Sequence, residues 1–217
     1  MRNKLARFAE NARRRNVVEP GKPIFSEIKG KWHEFFNNSN PIVLELGCGH
    51  GEYTVGLASL FADQNFVGVD VKGARIWKGS REAEELNLAN VAFLRIRMLD
   101  LEERFTENEA SSIWITFPDP RPKEKDEKRR LTSPRFMDMY RHLLRPNSCL
   151  HLKTDNLELY QYTLETLQQR EDIHSLKYTD DLYQSKLYEK PQQIVTTYEK
   201  KFASRGVPIK YLRFQFN

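Results

Sequence analysis

Read for apolar and polar positions, the chain falls into short apolar runs separated by longer stretches of helical spacing. Ile42–Leu46, Phe66–Val69, Val91–Arg97, Ser112–Thr116, Leu150–Lys153 and Ser175–Thr179 have the length and composition of strands. Between them, Tyr53–Phe61, Gly73–Glu85, Pro134–Leu144 and Leu157–Arg170 predict helices. Short apolar strands alternating with helices predict an α/β domain whose mostly parallel sheet is covered on both faces. A last run, Ile209 to Phe216, follows Gly206 and Pro208 and predicts a closing, hairpin-like strand. Upstream, Ile24, Phe25, Ile28, Trp32, Phe35 and Phe36 recur at helical spacing. They predict one amphipathic helix over the sheet edge, its aromatics in the core. A single domain is expected over residues 23–217, preceded by a basic segment, 1–22, read as flexible.

Composition narrows the setting. Of 217 residues, 39% are hydrophobic, and mean hydropathy is −0.69. No apolar stretch approaches the roughly 20 residues of a membrane span. The basic N-terminus lacks the apolar core of a secretory signal, so a cytoplasmic protein is expected. Two cysteines, Cys48 and Cys149, give neither a disulfide framework nor metal-ligand spacing and read as inert buried thiols. No metal site is expected. The 35 Lys and Arg outnumber the 30 Asp and Glu, for a net charge of +5. The excess gathers at Lys4, Arg7, Arg13, Arg14 and Arg15, and again between Lys123 and Arg130. Such clusters are the usual footprint of a phosphate-backbone partner.

The candidate chemistry starts where the first run ends, at Glu45-Leu46-Gly47-Cys48-Gly49-His50-Gly51-Glu52. Strand, glycine turn, helix is the opening of a nucleotide-binding α/β unit. Gly47, Gly49 and Gly51 would let the backbone pass close beneath a ligand. Asp70 ends the second run about 20 residues later, where dinucleotide folds place an acid on ribose hydroxyls, and Asp100 follows the third. The glycine pattern is G-x-G-x-G, and Glu45 would repel a pyrophosphate. S-adenosylmethionine, which has no phosphate and carries positive sulfonium and ammonium groups, fits these acids better than a nicotinamide dinucleotide does. A second cluster leaves the fourth strand at its C-terminal end. There Pro118, Pro120 and Pro122 stiffen a loop carrying Asp119, Arg121 and Lys123, within reach of whatever binds the glycine turn. Lys153-Thr154-Asp155-Asn156 passes from strand to helix, where Asp155 or Asn156 could be a plain N-cap. Thr196-Thr197-Tyr198-Glu199 reads as a helix start, with Glu199 near the positive end of the dipole.

Taken together and in this order, the glycine turn, the Phe-Pro-Asp-Pro-x-Pro-Lys loop, Lys128-Arg129-Arg130-Leu131, Lys153-Thr154-Asp155-Asn156 and Thr196-x-Tyr198-Glu199 with Phe202 and Gly206 resemble the bacterial tRNA (guanine-N7-)-methyltransferase family. The resemblance runs from about Pro41 to the C-terminus. It implies a Rossmann-like class I methyltransferase fold: a mostly parallel seven-stranded sheet with an antiparallel last strand. The implied activity is S-adenosylmethionine-dependent methylation of guanine 46 in the variable loop of tRNA. By position, Glu45, Asp70, Asp100 and Asp119 fall where the family contacts the cofactor, with Asp119 also its catalytic position. Lys123, Asp155 and Thr196 to Glu199 fall where it contacts substrate. Lys125, Lys128, Arg129 and Arg130 would meet RNA phosphates, and no obligate protein partner or membrane is implied. Three departures stand out. Arg121 replaces the usual Trp, Asp70 replaces a common Glu, and Asp126 and Glu127 interrupt a loop that is usually more basic. Two other readings of the same fold are a small-molecule methyltransferase, which leaves the basic loop idle, and an RNA-binding protein that has lost its cofactor.

Overall fold

The computed structural model describes residues 4–217. Strand β2 (Ile42–Leu46) lies mid-sheet, which is why it shows no polar alternation. It pairs in parallel with β3 (Asn65–Asp70) on one side and β5 (Ala110–Thr116) on the other. Strand β4 (Val91–Arg95) follows outside β3, and β6 (Leu144–Thr154) outside β5. The expected closing strand is β8 (Lys210–Phe216), antiparallel to β6 and to β7 (Ile173–Thr179), between which it inserts. Among the described residues the order is β1-β4-β3-β2-β5-β6-β8-β7, where β1 is Val17–Val18. The chain reverses its direction of sheet growth at β2, which opens a crevice beyond the carboxyl ends of β2 and β5.

Side-chain alternation along β2 divides the interior. Ile42, Leu44 and Leu46 join one core with Met137, Tyr140 and Leu143 of α6 (Pro134–Leu143) and Tyr160 and Leu167 of α7 (Leu157–Gln168). Val43 joins the other, with Tyr53 and Leu57 of α4 (Glu52–Leu60) and Ile76 and Ala83 of α5 (Gly73–Glu85). Glu45 has the parity of Val43 and so points at α4. At full burial each of the Val, Leu, Ile and Met side chains among them contributes about 1.5–3 kcal/mol.

Three expectations are corrected. The segment 1–22, read as flexible, forms helix α1 (Lys4–Arg13) and a short strand β1 (Val17–Val18); Met1 to Asn3 lie outside the described residues. Helix α1 lies along α5, with Asn11 donating to the Gly73 carbonyl at 2.8 Å, the Phe8 ring beneath Arg95, and Arg14 paired with Glu84. Strand β1 pairs in parallel with β4 and buries Val17 and Val18, making an eighth strand where seven were expected. The single helix expected over Ile24–Phe36 is two, α2 (Pro23–Glu27) and α3 (Trp32–Phe36), broken at Gly30 with φ +74°. Its aromatics do enter the core: Trp32 stacks on Phe105 at 5.1 Å.

Candidate cofactor and RNA site

At the carboxyl end of β2 the turn keeps its backbone bare. Gly47, Gly49 and Gly51 have φ of +78°, +56° and +76°. Gly51 also has no room for a side chain, since a Cβ there would lie 2.5 Å from Phe93 Cε1. Asp70 ties the turn to the end of β3. Its carboxylate accepts from the Gly49 N–H at 3.0 Å and the Lys72 N–H at 2.8 Å. Beneath, Glu45 accepts a 2.6 Å bond from the Thr116 hydroxyl and another from the Thr54 hydroxyl. Burial, followed by the charge of Asp70, pushes the Glu45 carboxyl up to about 7, against the pull of its two hydroxyl donors. Burial also pushes the Cys48 and Cys149 thiols up. Cys48 is buried and Cys149 partly so, in keeping with inert thiols.

The loop after β5 forms one rim. Phe117 leaves the strand at φ +47° while its N–H donates to the Lys153 carbonyl at 2.7 Å. Arg121 is also left-handed, at φ +48°. Two non-glycine residues in that region cost of order 1–3 kcal/mol each and are held by the surrounding contacts. Asp119 projects from the turn between them and pairs with Arg121 Nε at 3.1 Å. Arg130 in turn donates to the Arg121 carbonyl at 3.2 Å and lies 4.2 Å over the Tyr162 ring. The two acids that interrupt the basic run fasten the loop. Asp126 pairs with Arg129 at 3.0 Å, and Glu127 accepts from the Tyr162 hydroxyl at 3.0 Å. Lys123, Lys125 and Lys128 stand exposed on it.

Helix α8 (Thr197–Ala203) forms the opposite wall. Thr196 is its N-cap, accepting from the Glu199 N–H at 3.1 Å. Glu52, at the start of α4, takes the Thr197 N–H at 2.6 Å and its hydroxyl at 2.8 Å, and pairs with Lys78 at 2.7 Å. Burial of Glu52 opposes its charge, but Lys78 and Thr197 hold its carboxyl below the usual range. Asp155 follows β6, with its carboxyl raised by burial. The N-cap of α7 is its neighbour Asn156, which accepts from the Leu159 N–H at 2.7 Å.

These elements enclose a cavity of about 1080 Å³. Glu45, Gly47, Gly49, Asp70, Asp119, Arg129, Thr196, Thr197 and Tyr198 all line it. Gly51 packs just behind, against Phe93 and Gly79. Asp100 is off the wall, held at 2.9 Å by both Arg97 Nε and an Arg97 Nη, and Arg97 itself lines the cavity. Lys123, Lys125, Lys128, Arg130 and Asp155 lie beyond the wall, and Glu199 is buried and turned inward. Sequence reasoning did not single out Thr54 and Thr116, whose hydroxyls hold Glu45, nor Glu52 as the partner of Thr197. Strand parity carried a signal for Thr116, since it shares the face of Trp114 and Glu45. His50 also lines the cavity; its imidazole is pushed down by burial and by Lys78. Among the described residues no group of three His, Cys, Asp or Glu could hold a metal ion.

Residues 39–212 match a family described as "Putative methyltransferase". A tRNA (guanine-N(7)-)-methyltransferase of Cytophaga hutchinsonii is 49% identical over 99% of this chain and 98% of its own. A namesake from Christiangramia forsetii is 45% identical over 99% and 98%. The chain belongs to the tRNA (guanine-N7-)-methyltransferase family. Among solved structures, one titled an antibiotic-related methyltransferase matches with TM-score 0.61 at 20% identity, covering 87% of this chain and 94% of its own. A 30S ribosomal A1408 methyltransferase from an uncultured bacterium matches with TM-score 0.59 at 17% identity, covering 87% and 93%. At that identity these share the fold, a class I methyltransferase sheet. Family membership covers the α1 and β1 segment too, since the relatives match over nearly the full chain. No helix among the described residues is long and apolar enough to cross a membrane.

Proposed function

We propose that this chain uses S-adenosylmethionine to methylate N7 of the variable-loop guanine 46 of tRNA, in the cytoplasm. The observation that carries the reading is one cavity with two opposite electrostatic ends. Its floor holds Glu45 and Asp70 beside a bare glycine turn, and its rim holds Arg129 with Lys123, Lys125, Lys128 and Arg130 just outside. The floor suits the cofactor. Glu45 has two hydroxyl donors and, among the described residues, no cationic partner, so a cationic ligand would stabilise its ionised form.

When bound, S-adenosylmethionine supplies a methyl on a positive sulfur, open to an in-plane lone pair. Guanine N7 has such a pair and no proton, so no general base or cysteine nucleophile is needed. The burden on the protein is alignment and electrostatics. Glu45 and Asp70, with Gly47 and Gly49, hold the cofactor. Asp100 acts from behind Arg97 at the same end. Asp119 is the catalytic residue and faces the guanine N1–H and N2–H₂ edge; Asp155, just beyond the cavity wall, is the second candidate for that edge. There a carboxylate orients the base and offsets the positive charge that grows on the ring as N7 takes the methyl. Thr196, Thr197 and Tyr198 complete the substrate side with Lys123. The basic loop fixes tRNA through its phosphates, and these contacts position rather than read sequence. The target base leaves its stack to enter the cavity.

The test is transfer of labelled methyl from S-adenosylmethionine to unmodified bulk tRNA, followed by nucleoside analysis, with calorimetry for cofactor binding. Label recovered as 7-methylguanosine is expected. Cofactor binding without any transfer to RNA would favour a small-molecule methyltransferase. RNA binding without cofactor binding would leave a non-catalytic RNA-binding protein.

A further inference from the structure

The first turn of α8 sends neighbouring side chains in different directions, as a rotation of about 100° per residue requires. Tyr198 is 47% exposed and lines the cavity. Its ring is backed by Phe117 at 5.4 Å and Phe202 at 4.6 Å. Its phenol is raised by burial and by the charges of Asp155 and Asp119, and Asp119 lines the same cavity. Among the described residues the one other strongly exposed large aromatic is Tyr178, on edge strand β7. Arg121 is less free to meet a base, because its guanidinium is on Asp119.

Glu199 points the other way and has no exposed surface. One of its oxygens lies 2.8 Å from Lys153 Nζ and takes the Tyr183 hydroxyl at 2.7 Å. The Lys153 ammonium is equally buried and also donates to the carbonyls of Gln192 at 3.0 Å and Ile194 at 3.1 Å. The Lys153 carbonyl takes the Phe117 N–H. One lysine on β6 thus binds the start of the Asp119 loop, the chain before α8, and α8 itself.

We propose that the Tyr198 ring is the platform on which the target guanine stacks, and that Glu199 is a positioning residue that holds it there through Lys153 without touching the base. This rests on the reading of the cavity as a guanine methylation site. A base that has left its stack needs a flat, backed, accessible face to replace its neighbours, and Tyr198 offers one in the cavity that Asp119 also lines. Glu199 could not reach a base without abandoning Lys153, which would leave a buried charge unpaired.

The experiment compares methyl transfer to tRNA, cofactor affinity and melting temperature in four variants; transfer by the unaltered protein separately tests the underlying reading. Tyr198→Ala should lower kcat/KM by about ten- to a hundredfold, the worth of one base–aromatic stack, with cofactor Kd within twofold. Tyr198→Phe should recover most of that loss. Glu199→Ala should lower both melting temperature and activity. The double variant Lys153→Met with Glu199→Met removes both charges and should melt above Glu199→Ala, though below the unaltered protein because the Gln192 and Ile194 carbonyls and the Tyr183 hydroxyl lose a partner, and should keep at least a tenth of kcat/KM. If the double variant does not fold, Glu199→Gln decides, since it keeps an acceptor for Lys153 and should retain kcat within tenfold. Tyr198→Ala with kcat/KM within twofold of the unaltered protein overturns the platform. A stably folded double variant, or Glu199→Gln, that loses kcat more than a hundredfold overturns the positioning role and makes Glu199 a substrate contact.

Discussion

Cofactor affinity should depend on pH through Glu45. Without a cationic ligand, burial pushes its carboxyl up to about 7. A bound sulfonium and ammonium favour the carboxylate, so binding below that pH must first release a proton. Glu45 is about nine-tenths ionised at pH 8 and about one-tenth at pH 6, so Kd should rise about tenfold across that interval, or about 1.4 kcal/mol. The groups facing it leave the window clear. Cys48 and Tyr53 are pushed well above it by burial, and Thr54 and Thr116 do not titrate. His50 is pushed below its ordinary value, and His50→Asn serves as its control. Calorimetry at pH 6 in two buffers of different ionisation enthalpy should find close to one proton released per cofactor. Glu45→Gln should abolish both the release and the slope. The sign for folding runs the opposite way to that of a paired acid. Because the folded pKa is raised, Glu45 contributes stability below about 4.5 that is lost as pH rises from there through about 7, up to about 3 kcal/mol in the absence of a cationic ligand. Glu45→Gln should therefore melt higher than the unaltered protein at pH 8. Cofactor affinity flat from pH 6 to 8, or an unchanged slope in Glu45→Gln, would refute the reasoning.

Other outcomes follow from the same geometry. Asp119→Ala should lower kcat by two orders of magnitude or more while cofactor Kd rises less than tenfold, because the side chain is at the rim rather than the floor; near-normal turnover in steady-state assays would remove it from the chemistry. Binding of tRNA should weaken steeply with salt, and Lys125→Ala with Lys128→Ala should flatten the slope of log K against log salt by about 2, measured by filter binding. Gly51→Ala should destabilise by several kcal/mol, or prevent folding, because it adds a Cβ 2.5 Å from Phe93 at φ +76°; a melting curve like that of the unaltered protein would contradict the close packing seen there.

The sheet was legible because its central strands are buried on both faces and read as unbroken apolar runs. Glu45 stood out as an acid inside such a run, and Asp70 as one at its end. Strand β1 was hidden because two valines carry no period, and the basic residues around them made the whole segment read as solvated. The two-helix entry was hidden because Gly30 could be read as a tolerated interruption of a helical pattern rather than its end. Within Thr196 to Glu199 the sequence gathers the residues of one wall, yet adjacent positions on a helix face different surroundings. Only packing shows that Tyr198 looks outward and Glu199 inward. A cue was present in Lys153, a lysine at the end of an apolar strand, which must find a carboxylate if it is buried.

The central claim is that a bare ring nitrogen takes the methyl while carboxylates hold the cofactor and the base. Its most direct test uses two tRNA transcripts that differ only at the variable-loop target, one with guanine and one with 7-deazaguanine, which has carbon in place of N7. With labelled S-adenosylmethionine, the guanine transcript should gain close to one methyl, recovered as 7-methylguanosine, and the 7-deaza transcript should gain none. Equal labelling of the two transcripts, or label recovered on any other nucleoside, would contradict the account.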